Sequence, residues 1–133
     1  MLPTVEDLFD DAVRRIRRYT PAEAHASNAA ILDIRSQDVR EQNGAIPGAY
    51  HVPRTVLEWR TASREWRNKE LDNQALILVC DHGYSSVLAA LTLVTLGREV
   101  GDVEGGFEAW RANGLPVTTP RTWAGLPGMG PPD

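Results

Sequence analysis

The chain has 133 residues and a single cysteine, Cys80, so no disulfide can form within it and its core must close without a covalent staple. A lone free thiol of this kind is expected in a reducing compartment, and the expectation is a soluble, cytoplasmic protein. Long apolar runs are missing too: the richest stretch, Val87 to Leu96, is short and interrupted by Thr92 and Thr95, which excludes a bilayer-spanning helix. The opening residues, Met1-Leu2-Pro3-Thr4-Val5-Glu6-Asp7, have no basic region followed by an apolar core, so no secretory leader is expected. With a net charge of −4 the chain has no cationic excess, and nothing argues for a nucleic-acid or membrane partner. Internal repeats are absent. What remains is an ordinary globular balance, 42% hydrophobic and 24% charged, of a length that makes one core rather than two.

Along the chain, helical and strand patterns alternate, which implies an α/β architecture with a parallel sheet. Val5, Leu8, Phe9, Ala12, Val13 and Ile16 have the spacing of an amphipathic helix, with acids at its start and Arg14, Arg15, Arg17 and Arg18 at its end. This segment, 1–18, is expected to pack on the main domain. Its arginines read as a solvated helix terminus, with a docking patch as the alternative. Thr20, Pro21 and Glu23 have the register of a capping box with proline at the first helical position. Strands are expected at Ala29–Ile34, near Tyr50, at Leu76–Cys80 and at Val100–Val103; further helices begin near Val56, Ser86 and Phe107. The domain proper is expected over 19–118. Beyond it, 119–133 is rich in Pro and Gly and is expected to be a flexible tail.

Chemistry concentrates where the apolar strand Ala75-Leu76-Ile77-Leu78-Val79 meets Cys80 and the loop Asp81-His82-Gly83-Tyr84-Ser85, with a helix following at once. Ligands of parallel sheets bind at the carboxyl ends of strands. A thiol above the first turn of a helix faces unpaired amides and the positive end of the helix dipole, and both favour a thiolate and an anion. A buried free cysteine can equally be a small inert hydrophobe. The loop tips the balance toward chemistry, because Gly83 and the hydroxyls of Ser85 and Ser86 suit a tight turn with converging amides.

Cys80-Asp81-His82-Gly83-Tyr84-Ser85-Ser86 resembles the active-site loop of the single-domain rhodaneses, a family of sulfurtransferases. Two further segments match in the same order: Asp33-Ile34-Arg35 with Gly44-Ala45-Ile46-Pro47-Gly48-Ala49 and Val52-Pro53, and Gly105-Gly106-Phe107-Glu108-Ala109-Trp110. The likeness runs from about Tyr19 to about Val117. It implies a rhodanese-like three-layer fold, with a central parallel sheet flanked by helices. It also implies that the Cys80 thiolate takes sulfur from a small anionic donor such as thiosulfate, becoming a persulfide cradled by the amides of residues 81 to 86. A thiol or cyanide acceptor, or a sulfur-carrier protein, would then remove that sulfur. No metal or organic cofactor is implied.

Within the loop, Asp81, His82, Gly83, Tyr84, Ser85 and Ser86 are the expected substrate-binding residues. Gly83 is expected to keep the cradle uncrowded, and Ser86 is either an inward donor or a helix N-cap. The His82 side chain is expected to face solvent. Asp81 is the awkward neighbour, since a carboxylate there opposes both thiolate and anion. Asp33 and Arg35 would pair or brace loops, and Phe107 and Trp110 would be core. Trp59, Trp66 and Trp123 read as packing or as an interface. Ala45 stands where the family usually has histidine, and the Asp33-to-Gly44 spacing is one residue longer than usual. Related phosphatases have a loop one residue longer that ends in an arginine, whereas here no arginine occurs between Cys80 and Arg98. Arsenate reduction lacks its resolving cysteine. The rival from another class is a non-catalytic module for protein binding, sulfide sensing or persulfide carriage.

Overall fold

The computed structural model describes residues 1–133, and it is built on one five-stranded sheet in which every pairing is parallel. The elements run α1 (Val5–Arg15), β1 (Arg17–Tyr19), α2 (Pro21–Ala26), β2 (Ala30–Asp33), α3 (Gln37–Asn43), β3 (Tyr50–His51), α4 (Leu57–Ala62), β4 (Leu76–Val79), α5 (Ser85–Thr95), β5 (Val100–Val103) and α6 (Gly106–Ala112). Short 3-10 turns at Arg54–Val56 and Lys69–Leu71 complete the set. The strand order is β1-β5-β4-β2-β3, so β4 lies at the centre and the chain reverses direction across the sheet between β2 and β4. In parallel sheets that switch point is where a crevice opens above the strand ends.

The period of two along a strand divides the core into the two layers that helices cover. Leu76, Leu78 and Cys80 turn to one face with Leu32, Leu57, Ala89, Ala90 and Leu93; Ile77 and Val79 turn to the other with Ala24, Phe107 and Trp110. Both faces are dry, which is why all four residues of β4 are buried and apolar with no polar alternation. Each such side chain withdrawn from water contributes about 1.5–3 kcal/mol. On the first face α1 packs over α5 through Ala12, Val87 and Leu91, with Phe9 and Ile16 at the margin. No helix is long and apolar enough to cross a membrane.

The expected capping box forms at α2, with Thr20 and Glu23 exchanging backbone-to-side-chain bonds of 2.8 and 3.2 Å. Two elements differ from the expectations. Arg17 and Arg18 do not end a helix: the helix stops at Arg15 and these residues enter β1, an edge strand of the domain's own sheet. Helix α3 was unexpected, because Gln37-Asp38-Val39-Arg40-Glu41-Gln42-Asn43 has no apolar stripe. It forms on a Ser36 cap and buries an arginine instead, Arg40 being 1% exposed.

The last residues carry no helix or strand, yet they lie against the domain rather than free of it. Arg60 donates from Nε to Pro127 O at 2.6 Å, and Ala49 O accepts from Asp133 N at 2.8 Å. The Asp133 carboxylate is bonded to Arg40. A cleft of about 450 Å³ opens between this segment and the domain, bordered by Ser36, Gln37, His51, Arg121 and Trp123. No residue of the 80–86 loop lines it.

Candidate active site

Strand β4 delivers Cys80 to the centre of the sheet, and its place in the alternation turns the side chain toward α5. The loop returns over it in a single turn before α5 begins at Ser85. Three of the loop's carbonyls are tethered from outside. Cys80 O accepts from Phe107 N at 2.8 Å, Asp81 O from Glu108 N at 3.1 Å, and Gly83 O from Arg18 Nη2 at 2.8 Å. All peptide bonds are trans, and in a trans peptide the N–H of the next residue points opposite to the tethered carbonyl. The amides of Asp81, His82 and Tyr84 therefore face away from the tethers, and they bond to no other protein atom. Two more amides aim at the sulfur itself, Gly83 N at 3.2 Å and Ser86 N at 3.4 Å from Cys80 Sγ.

Glycines make this close approach possible. Gly83 has φ +83°, and a Cβ on it would stand 2.7 Å from Gly105 N and 3.2 Å from Arg18 Nη2. The crowding is thus against the outer tethers, where the expectation had placed it inside the cradle. Gly106, φ +61°, brings α6 so near the loop that a Cβ would fall 2.4 Å from Cys80 O.

The thiol is 5% exposed, and its burial works against ionisation. The hydroxyl of Ser85 and the amides of Ser86 and Gly83 outweigh that burial, and the Cys80 thiol sits below its ordinary pKa. Helix α5, eleven residues with no charge of its own, adds the positive end of its dipole.

The six loop residues expected to surround the sulfur do not all reach it. Ser86 is fully buried, with Oγ 3.2 Å from Cys80 Sγ, and it is not the helix cap, that position falling to Tyr84. His82 is exposed and makes no hydrogen bond, while Asp81 is half-buried. Tyr84 is 71% exposed and leans toward Phe9 of α1, with ring centroids 6.2 Å apart.

Two residues that sequence reasoning passed over complete the surroundings. Asp102, wholly buried in β5, accepts the Ser86 hydroxyl at 2.7 Å and pairs with Arg18 at 3.0 Å. Burial disfavours the Arg18 cation, but this carboxylate more than offsets it and the arginine's pKa is raised. A signal for Asp102 was present: an acid inside the apolar strand Val100–Val103 must find a cation. No local pattern named Arg18 as that cation, because the pair spans most of the chain.

Asp33 and Arg35 do pair, at 2.7 and 2.9 Å, and Arg40 joins them at 3.1 Å. Arg35 also donates to Gly44 O at 2.8 Å and lies 4.0 Å over the Phe107 ring. Phe107 and Trp110 are core. Ala45 is buried and bridges Thr118 through both of its backbone groups. No three His, Cys, Asp or Glu residues converge as metal ligands would.

Known proteins resemble this chain in sequence and in shape. The chain is 39% identical over 99 residues to a thiosulfate sulfurtransferase GlpE of Stutzerimonas stutzeri, covering 71% of this chain and 84% of that one. It is 36% identical over 100 residues to the same-named protein of Pseudomonas syringae, 71% and 87% of the two chains. Among solved structures, a Rhodopseudomonas palustris protein of unknown function, described as a possible tyrosine phosphatase, superposes with TM-score 0.79 at 31% identity, over 88% of this chain and 96% of that one. A rhodanese-related protein of Thermoplasma volcanium follows at TM-score 0.66 and 27% identity, over 78% and 99%. Residues 19–113 match the family model of the rhodanese-like domain, and with the parallel sheet and the strand-end cysteine loop they place this chain in that family.

Proposed function

We propose that the chain is a sulfurtransferase that moves sulfane sulfur from thiosulfate or a persulfide donor to a thiophilic acceptor through a persulfide on Cys80. The observation that carries this reading is the direction of the loop's peptide groups: carbonyls tethered outward, and amides left for an anion or aimed at Sγ. With thiosulfate, the Cys80 thiolate attacks the outer sulfur, a new S–S bond forms, and the donor's S–S bond breaks with its electron pair leaving on sulfite. The persulfide anion that remains takes hydrogen bonds from the loop amides, each charge-assisted contact contributing about 1.5–3 kcal/mol. A thiol or cyanide then accepts the outer sulfur and restores the thiolate, which gives ping-pong kinetics. The single free thiol suits a reducing compartment such as the cytoplasm.

A phosphatase reading is prompted by the Rhodopseudomonas palustris neighbour, and the arginines decide against it. Such a loop needs a guanidinium facing the phosphate from the amide side. Arg18 is bound to the Gly83 carbonyl and to Asp102, on the far side from the free amides. The test is incubation of the protein with thiosulfate, followed by its mass and by sulfite release. One added sulfur on Cys80 is expected, with both signals absent in Cys80→Ser. Undiminished transfer in that variant would eliminate the mechanism. No transfer by the intact thiol would favour the binding or carrier module.

A further inference from the structure

Asp102 lies in β5 opposite Arg18 of β1 in the parallel register, on the face that carries Cys80 and α5. Its two oxygens do different things. Oδ1 takes Arg18 Nε at 3.0 Å, while Oδ2 takes Nη2 at 3.2 Å and the Ser86 hydroxyl at 2.7 Å. Nη2 of the same arginine holds the Gly83 carbonyl at 2.8 Å. A hydroxyl has one hydrogen and an ionised carboxylate has none, so the Ser86 hydrogen lies toward Asp102. What Ser86 offers the sulfur, 3.2 Å away, is then a lone pair. A lone pair welcomes S–H and repels a thiolate, so in this arrangement Ser86 withholds a hydrogen bond that it could give.

We propose that Asp102 and Arg18 are positioning residues for Cys80: Asp102 sets the direction of the Ser86 hydroxyl, and Arg18 balances Asp102 while holding the Gly83 carbonyl, so the edge strand β1 governs the nucleophile's reactivity. The functional meaning of this rests on the sulfurtransferase reading; its physical content concerns the thiol alone. The remaining charges near the sulfur are few. Glu104, just after β5, also acts on Arg18, and Asp81 and His82 belong to the loop. Helix α5 carries no charge, and Glu108 and Arg111 of α6 pair with each other at the surface.

Opposite signs follow for the two partners. Asp102→Asn removes a negative charge, leaves Arg18 unbalanced, and allows an amide to donate to Ser86 Oγ so that the hydroxyl turns to the sulfur. All three changes favour the thiolate. Arg18→Met leaves a buried carboxylate unbalanced beside the thiol and frees the Gly83 carbonyl, and both changes disfavour the thiolate.

The experiment is the rate of iodoacetamide alkylation of the full chain as a function of pH, in which the only thiol is the one of interest. The alkylation midpoint is expected about one pH unit lower in Asp102→Asn and about one unit higher in Arg18→Met. Arg18→Lys restores the cation and is expected to bring the midpoint most of the way back. In a Ser86→Ala background the Asp102→Asn shift shrinks, because the hydroxyl it would redirect is gone. A merely structural role would lower the thermal midpoint of both variants without moving their alkylation midpoints in opposite directions. Shifts of the same sign, or an unmoved midpoint in folded Asp102→Asn, would overturn the proposal. Should Arg18→Met fail to fold, Arg18→Lys and Asp102→Asn carry the test. Because alkylation needs no sulfur donor, loss of this proposal and loss of the sulfurtransferase reading are separate results.

Discussion

Asp33 at the end of β2 and Asp102 in β5 are both wholly buried carboxylates met by arginine, two strands apart in one sheet. Asp33 sits between two guanidiniums, those of Arg35 and Arg40, and the carboxylate of Asp133 closes the group on its far side. Its oxygens accept from those two guanidiniums and from the Arg35 backbone amide. Asp102 has a single guanidinium, and one of its oxygens is shared between that cation and a serine that touches the Cys80 sulfur. The same pair chemistry therefore serves two ends. Where the carboxylate is saturated by cations it locks loops together, and where it is undersaturated it reaches a neighbouring thiol through a serine.

The largest effect is expected from breaking the saturated cluster. Asp33→Ala leaves Arg35 and Arg40 buried with less counter-charge, at a cost of about 3–5 kcal/mol. Denaturant unfolding measures it. A loss below that of Asp102→Asn would erase the contrast between the two sites. Next comes the tether under the loop. Gly106→Ala puts a Cβ 2.4 Å from Cys80 O at a φ of +61°, so α6 must withdraw. Sulfur transfer is expected to fall by tenfold or more, about 1.4 kcal/mol per factor of ten, with a smaller change in the thermal midpoint. Steady-state kinetics beside calorimetry separates the two. Smallest of all is His82→Ala, because that side chain is exposed and without partners. Transfer rates are expected to stay within about threefold of the parent across pH 6 to 9. A larger loss with a changed pH profile would give this histidine an acid–base role that its position does not suggest.

Much of the site was legible because its signals are local. Hydrophobic runs marked β2, β4 and β5, and the Thr20 and Glu23 spacing marked α2. The cysteine stood at the joint between a buried strand and a helix. Less legible were elements whose reason lies elsewhere in the molecule. Helix α3 is polar because it covers an ionic cluster instead of a greasy face, so periodicity had nothing to report. Arg17 and Arg18 continue the arginines of the helix before them, and a three-residue edge strand has too few turns of the pattern to stand out. Composition alone marks the Pro- and Gly-rich end as a flexible tail, and it does not reveal the hydrogen bonds by which Arg40 and Arg60 meet that end.

By itself the sequence determined where the chain's one thiol stands: a solitary cysteine carried to a strand end by an apolar run, and a glycine-containing turn into a helix. These follow from nearest-neighbour chemistry, in which side-chain period and turn geometry act within a few residues. Tertiary structure alone decided what surrounds that thiol. The register that sets Arg18 against Asp102, and the docking of α6 that turns the loop's carbonyls outward, join residues far apart in the chain. Such pairings are chosen by how layers pack and where buried charge can be met, and those are properties of the folded whole.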